Sequence, residues 1–263
     1  MTGRLVALDI DGTLTTSRQP VSPRVRAAVR AVVEGGDHVV LATGRPALAV
    51  RPVVEDLALS NGFAVCSNGA VLLDVSSRRA LHIQPVSLGL ILAAFDRQAP
   101  GALYAAEVVG VGNHVSGRFP DGALTGRQIP LPRKEIADCW APRLAAWWPS
   151  RSLEDVRQRL SHIALPEVAM TLDHDRPWLI AVAAGVSKMT TLERLRVRLD
   201  IPQDATFAAG DGNNDVEMLT WAAHAVAMGD APAAVRAVAD TVTGTVAEDG
   251  LATALNAWLA KVR

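Results

Sequence analysis

Leu5-Val6-Ala7-Leu8-Asp9-Ile10-Asp11-Gly12-Thr13-Leu14 is the stretch from which the architecture follows. Four apolar residues without alternation read as a short strand buried on both faces, as in a parallel sheet. The run stops at Asp9, and a second carboxylate follows at Asp11. Two carboxylates two residues apart at a strand end can share one site, where one attacks while the other handles a proton. Gly12 lets the chain turn sharply there, and exposed backbone N–H groups of such a turn can bind phosphate oxygens. An Asp-Gly pair alone is an ordinary turn, so the reading gains weight from what recurs elsewhere in the chain.

Working outward, the pattern of that strand repeats. Ser22-Pro23 opens a helix, with Ser as N-cap and Pro at the first helical position. Val25, Val29 and Val32 follow at helical spacing until Gly35-Gly36. Val39-Val40-Leu41 is a second buried strand leading to Thr43, and a helix is predicted from Ala47 to Leu59. Phe63 to Cys66 is a third strand, and Val71-Leu72-Leu73 starts a hairpin. After the middle of the chain the alternation resumes. A helix starts near Ser187-Lys188 and carries Leu192, Leu195 and Leu199, and a strand Thr206–Ala209 ends at Gly210-Asp211. A helix from Asp215 to Ala223, a strand Ala225–Met228, and helices over Pro232–Ala239 and Leu251–Val262 complete it. Alternation of this kind predicts a parallel sheet with helices on both faces.

The middle differs. From Leu81 to Ala184 the chain holds four of the six tryptophans, Trp140, Trp147, Trp148 and Trp178. Val86–Arg97 and Leu153–Leu160 read as helices, and Tyr104–Val109, Val168–Leu172 and Trp178–Val182 as strands. Loop and strand signals mix over Asn113–Arg151. The expected fold class is α/β: a Rossmann-like three-layer parallel-sheet core, residues 1–81 and 185–263, with an α+β cap domain, residues 82–184, inserted between its halves.

Composition sets the outer bounds. The chain has 263 residues, 49% of them hydrophobic, enough for a sizeable core. A net charge of -1 speaks against a dedicated nucleic-acid binder, which needs an excess of Lys and Arg. No apolar run is long enough to span a bilayer. The start lacks the order of a signal peptide, and Cys66 and Cys139 form no metal-spaced cluster, so two reduced thiols in a cytoplasmic protein are expected. The histidines of the middle region, His82, His114, His162 and His174, lack zinc-site spacing. Neither a G-x-x-x-x-G-K-[ST] loop nor a G-x-G-x-x-G follows a strand.

Three further motifs sit where strands of the core end, and in open α/β sheets ligands bind outside those carboxyl ends. In Ala42-Thr43-Gly44-Arg45, a hydroxyl before a helix can donate to a phosphate oxygen, with help from the helix N-terminus. Lys188 at a predicted helix start opposes the macrodipole, so it faces water or meets an anion. Gly210-Asp211-Gly212-Asn213-Asn214-Asp215 gathers carboxylates and amides on a Gly-rich turn, and such hard oxygen ligands suit Mg²⁺.

These four motifs, in this order, resemble those of the haloacid dehalogenase superfamily. The insertion between the second and third resembles the type-2 cap of its Cof-like sugar-phosphatase branch. Ser67-Asn68-Gly69-Ala70, Gly185-Val186-Ser187-Lys188, and Ala227-Met228-Gly229 followed by Glu248-Asp249-Gly250 are similar to that branch as well. The resemblance implies Asp9 as nucleophile and metal ligand, and Asp11 as general acid/base with its backbone carbonyl on the metal. Thr43 and Lys188 would hold the transferring phosphoryl group, with Gly12, Gly44, Arg45, Asn68 and Asn214 also on the phosphate side. Asp211 would bind Mg²⁺ directly, and Asp215 would support it. Met189 departs from the pattern, since relatives often carry Gly there; an adaptable core filler is the simpler account.

The implied reaction is Mg²⁺-dependent hydrolysis of a phosphomonoester, a small sugar phosphate or similar metabolite, through an aspartyl-phosphate. The enzyme is expected to be a monomer or weak homo-oligomer that binds neither nucleic acid nor membrane. Two rivals stand beside it: a phosphosugar mutase on the same scaffold, and a non-enzymatic sugar-phosphate sensor, which should have lost a nucleophile or ligand.

Overall fold

The computed structural model describes residues 3–16, 19–173 and 175–261. The chain divides into two compact units: residues 1–45, 50–82 and 187–263, and residues 46–49 with 83–186.

The first unit is built on an eight-stranded sheet. Its centre is Leu5–Leu8, flanked in parallel by Thr206–Gly210 on one side and His38–Ala42 on the other. Phe63–Cys66 extends the second side, and His224–Ala227 and Thr241–Val242 extend the first, giving six parallel strands. Val71–Asp74 then adds antiparallel to Phe63–Cys66, with Ala80–Ile83 beyond it at the edge. All four residues of Leu5–Leu8 are buried, as an unalternating apolar strand requires.

Helices cover both faces. Leu5, Ala7, Val40, Ala42 and Val65 pack in one cluster with Leu192 and Leu195 of the helix Lys188–Arg198 and Met218 and Leu219 of Val216–Trp221. Phe207 points the other way, its ring 5.1 Å from that of Trp258 in the helix Gly250–Lys261. Pro23–Glu34 starts as its sequence indicates: Ser22 Oγ accepts from Val25 N–H at 3.2 Å, and the same hydroxyl donates to Asp249. The strand order changes direction beside Leu5–Leu8, so the crevice for a ligand is expected between the ends of Leu5–Leu8 and Thr206–Gly210.

The second unit has a six-stranded sheet, in spatial order Val168–Leu172, Trp178–Ala183, Leu144–Trp147, Leu103–Val108, Gly112–Val115 and Arg127–Pro130. One face carries Tyr104, Ala106, Leu144 and Ala146, buried with Ile91, Leu92 and Phe95 of the helix Gly89–Gln98 and Val156 of Leu153–Leu160. Trp148 closes this core, its indole N–H donating to Ala99 O at 2.5 Å. The other face carries Ala105, Val115 and Ala145 with Phe119 and Trp178.

The α/β core with an inserted α+β region is the architecture expected, and several elements differ in extent. The helix from Ala47 ends at Asp56, because Ala58 adopts a left-handed φ of 52°. Val86–Ser87 is a strand paired with Trp140–Ala141, so the helix there begins at Gly89. The turn after Gly210 tightens into a 3₁₀ segment, Asn213–Asp215, before Val216–Trp221. The helix predicted over Pro232–Ala239 is the short Ala233–Arg236. The last helix spans Gly250–Lys261, and Val262 and His174 lie outside the described residues. The units also divide differently from the sequence boundaries. Residues 46–49 group with the second unit, where Ala47 N–H donates to Glu107 Oε1 at 3.1 Å. The crossings fall after His82 and after Val186.

Candidate active site

The site is assembled from strand ends. Register sets Leu8 beside Ala209 and Leu41, so Asp9 leaves the sheet next to the turn carrying Asp211 and next to the strand that ends before Thr43. Asp9 N–H still donates to Ala209 O at 3.0 Å, which ties its backbone to the neighbouring strand. Asp9, Asp211 and Asp215 each place a carboxylate oxygen within 4.8 Å of the others.

Lys188 enters this group from the first turn of its helix. Its Nζ lies 2.6 Å from Asp9 Oδ1 and 2.6 Å from Asp215 Oδ1, and the side chain is 1% exposed. Ser187 caps the same helix, accepting from Thr190 N–H while Thr190 Oγ1 accepts from Ser187 N–H. The unfavourable helix start is thereby explained: the ammonium meets anions, not water. Burial pulls the Lys188 pKa down, but the charges of Asp215 and Asp9 outweigh it and hold the ammonium protonated.

The carboxylates carry the opposite strain. Burial, and then the charge of Asp215, raises the Asp9 pKa well above the usual carboxylate range despite Lys188. The same two causes push Asp211 up to about 6. One ammonium does not neutralise three converging carboxylates. The donor set is all hard oxygen, so its chemistry fits a divalent cation such as Mg²⁺.

The turns are shaped around these oxygens. Gly12 has φ +82°, and a Cβ there would lie 2.2 Å from Asp211 Oδ2, so only glycine lets the two loops approach. Thr13 Oγ1 donates to Asp211 Oδ1 at 3.3 Å, and Asp215 Oδ2 accepts from the N–H groups of Asp211 and Gly212 at 3.1 and 2.9 Å. Asp215 thus orders the turn that presents Asp211.

The remaining motif residues form a rim. Arg45 donates to both oxygens of Asp11, Nε to Oδ2 at 2.7 Å and Nη2 to Oδ1 at 2.5 Å. That bonding raises the Arg45 pKa, against its partial burial, which lowers it. Thr43 is fully buried and its Oγ1 accepts from Arg45 N–H at 3.1 Å. Asn214 Nδ2 donates to Asn68 Oδ1 at 3.1 Å, directly above Gly44, where a Cβ would come within 3.0 Å of that oxygen. Asn68 is held there by backbone in left-handed conformation at Ser67, Asn68 and Gly69. The residues named from the sequence therefore fall into two groups: Asp9, Asp211, Asp215 and Lys188 inside, and Asp11, Gly12, Thr43, Gly44, Arg45, Asn68 and Asn214 around them. Thr13 and Ser187, quoted within the motifs but given no role from the sequence, and Thr191, whose hydroxyl donates to Gly69 O at 2.7 Å, are supports of the site. Met189 is partly buried.

The sequence model of the haloacid dehalogenase-like hydrolases matches residues 6–99 and 150–255. The chain belongs to the haloacid dehalogenase-like hydrolase family. This is the family that the order of its four motifs indicated. Among characterised relatives, this hydrolase is 29% identical over 262 residues to the 5-amino-6-(5-phospho-D-ribitylamino)uracil phosphatase YcsE of Bacillus subtilis, covering 97% of this chain and 96% of that one. It is also 29% identical over 266 residues to the pyridoxal phosphate phosphatase YbhA of Escherichia coli, covering 96% and 97%. Among solved structures, a haloacid dehalogenase-like hydrolase from Bacteroides thetaiotaomicron superposes with a TM-score of 0.80 at 22% identity, covering 97% of this chain and 98% of that one, which shows a shared fold.

Cys66 and Cys139 are not joined in a disulfide. No helix among the described residues is long and apolar enough to cross a membrane. A cavity of about 610 Å³ in the second unit, lined by Val115, Arg118, Gln128 and Pro130 among others, shares no residue with the four motifs.

Proposed function

We propose that this chain is a Mg²⁺-dependent phosphatase that hydrolyses the monophosphate ester of a small, sugar-like metabolite through phosphorylation of Asp9. The observation that carries the reading is the buried cluster of Asp9, Asp211 and Asp215 with Lys188 bridging two of them at the ends of adjacent parallel strands. Membership of a family of hydrolases and full-length likeness to phosphatases support it.

Asp9, Asp211 and the backbone carbonyl of Asp11 would hold the cation, with Asp215 ordering the turn. The cation would offset negative charge on the phosphoryl oxygens. Lys188 engages Oδ1 of Asp9 and leaves Oδ2 without that restraint. In the first step an Asp9 oxygen bonds to phosphorus as the ester P–O bond breaks, and Asp11 gives its proton to the departing alkoxide. In the second, Asp11 takes a proton from water, the water oxygen bonds to phosphorus, and inorganic phosphate leaves with Asp9 restored. Thr43 and Asn214 would bind phosphoryl oxygens, since the N–H groups of Gly12, Thr13 and Leu14 already donate to Thr15 O and Ile10 O, and catalysis rests on positioning and electrostatics.

The test is phosphate release from a panel of metabolite phosphates, before and after chelation. Activity should vanish with chelator and return with Mg²⁺, while Ca²⁺, with its looser coordination, should support it poorly. Full turnover in the metal-stripped protein would refute the assignment. Isomerised sugar phosphate without free phosphate would make the chain a mutase.

A further inference from the structure

In the first unit, the turn after the strand Phe63–Cys66 holds three consecutive residues with positive φ: Ser67 at 51°, Asn68 at 54° and Gly69 at 105°. Residues other than glycine seldom adopt left-handed backbone, and they persist there only where the surroundings over-determine them. The surroundings here are three of the four motifs. Ser67 N–H donates to Arg45 O at 2.8 Å and Asn68 N–H to Thr43 O at 3.1 Å, which bolts the turn to the second motif. Gly69 O accepts from Thr191 Oγ1 at 2.7 Å, and a Cβ on Gly69 would lie 2.1 Å from Ser187 O, so the turn also abuts the start of the helix that carries Lys188. Asn68 Oδ1 accepts from Asn214 Nδ2 of the fourth motif at 3.1 Å.

The side chain of Asn68 adds what the backbone does not need. Its N–H bond to Thr43 requires only a residue that tolerates a φ near +54°, and glycine does so with less strain. The amide supplies an acceptor aimed at Asn214. That acceptor matters because Asn214 is ambiguous by itself. Its amide has a donor end and an acceptor end of nearly equal size, and a half-turn about χ2 exchanges them. A phosphoryl oxygen is an acceptor, so only the donor end of Asn214 can serve it. With Asn68 Oδ1 taking one hydrogen of Asn214 Nδ2, the donor end is fixed in place and its second hydrogen is left for a ligand. The pair lies against bare backbone of the second motif, since a Cβ on Gly44 would come 3.0 Å from Asn68 Oδ1 and 3.7 Å from Asn214 Nδ2.

We propose that Asn68 is a positioning residue for phosphoryl transfer: by accepting from Asn214 it fixes which end of that amide faces the phosphoryl group, and the left-handed turn sets its Oδ1 where this is done. The inference rests on the phosphatase reading above. Asn68 then acts through Asn214 and touches neither the leaving group nor the cation.

Two variants separate side chain from backbone. Asn68→Gly suits the left-handed φ and Asn68→Ala does not, while both lack the amide. Asn68→Ala should therefore have a lower Tm than Asn68→Gly. In both, kcat/KM should fall about tenfold, alike for phenyl phosphate and for a sugar phosphate, because the phosphoryl group is common to the two esters. Inhibition by inorganic phosphate should weaken with it. Asn214→Ala should lose at least as much. Adding Asn68→Gly to it should change kcat/KM by less than about twofold, since a residue acting through Asn214 then has nothing to act on. Activity retained in Asn68→Gly but lost in Asn68→Ala would make the turn purely structural and overturn the proposal. Losses that multiply in the double variant, or a loss confined to the sugar ester, would overturn it too, by putting Asn68 on the substrate itself. If the wild-type protein releases phosphate from no ester and binds no inorganic phosphate with Mg²⁺ present, the phosphatase reading falls and the proposal falls with it. An active wild type with an unaltered Asn68→Gly sinks the proposal alone.

Discussion

Each unit buries a pair of opposite charges, and the two pairs are built differently. Lys188 is clasped at 2.6 Å by Asp9 and by Asp215, and both carboxylates have further partners or neighbours in the motif turns. Arg143 faces Glu107 at 3.6 Å with its Nε unpartnered. The first pair is closed by its own chain except for a surplus of negative charge, which asks for a cation. The second is nearly balanced in charge but leaves the buried Arg143 Nε without an acceptor. The two differ in what they leave open: negative charge in the first, a hydrogen bond in the second.

The largest effect should come from the closed site. Asp9→Asn removes the attacking oxygen, and loss of a nucleophile costs on the order of 10⁶-fold in kcat where it has been dissected. No covalent phosphoenzyme should form, which rapid quench with labelled aryl phosphate and intact-protein mass would show. Retained label on the variant would mean that another residue attacks.

Lys188→Met tests how far the clasp matters to folding itself. Removing one partner of a buried ion pair strands the other, at a cost of about 3–5 kcal/mol. Urea unfolding of the cation-free variant should show a loss of that order near pH 8. The loss should shrink at pH 5, where protonation of Asp9, raised by its burial, relieves part of the stranded charge. In the second unit, the double change Arg143→Met with Glu107→Gln removes both charges together and should cost less than about 1.5 kcal/mol. Equal costs for the two variants would erase the distinction between the pairs.

The surplus negative charge gives a pH signature. Asp211 titrates at about 6 in the fold against an ordinary 3.8, so the folded protein holds that proton more tightly than the unfolded chain. Its contribution to stability is complete below the unfolded value and is lost as pH rises through the folded one. The Tm of the cation-free protein should therefore fall between about pH 4 and 6.5 from this source. Mg²⁺ competes with the proton, so the Tm increment it produces should grow across the same window. Asp211→Asn should flatten both curves. A Mg²⁺ increment independent of pH would place the cation elsewhere.

How much of this was legible beforehand follows the same division. Asp9, Asp211 and Lys188 lie at ends of buried strands or at a helix start, and those ends are marked locally by an apolar run and a glycine. The strand Val86–Ser87 was not legible, since its partner Trp140–Ala141 is remote in sequence and its residues continue an apolar run into a helix. Thr241–Val242 is too short to show a period. Arg143, Glu107 and Asn113 had no signal at all. Glu107 and Asn113 come from paired strands and Arg143 from the residue before Leu144–Trp147, and only the pairing brings them together. What sequence cannot show is also seen at Arg45. Its place after Thr43-Gly44 suggested a phosphate contact, yet its fork lies on Asp11, and nothing in a linear pattern distinguishes those two anions.

Arg45 therefore supplies the smallest and most discriminating change. Two parallel N–H donors fix both the position and the plane of the Asp11 carboxylate, which is otherwise about half exposed and free to rotate. If that is the task of Arg45, Arg45→Met should lower kcat for a sugar phosphate about tenfold, since a misplaced acid serves a poor leaving group badly. An aryl phosphate needs little protonation to depart, so its phosphorylation step should fall much less. Inhibition by inorganic phosphate should change less than about twofold, because the phosphoryl-binding groups are untouched. Arg45→Lys should behave like Arg45→Met, as one ammonium cannot reproduce a planar fork. The opposite pattern is equally clear. Weaker inhibition by phosphate, with kcat falling alike for aryl and sugar esters and restored by Lys, would return Arg45 to the phosphoryl group and leave Asp11 to be oriented by other means.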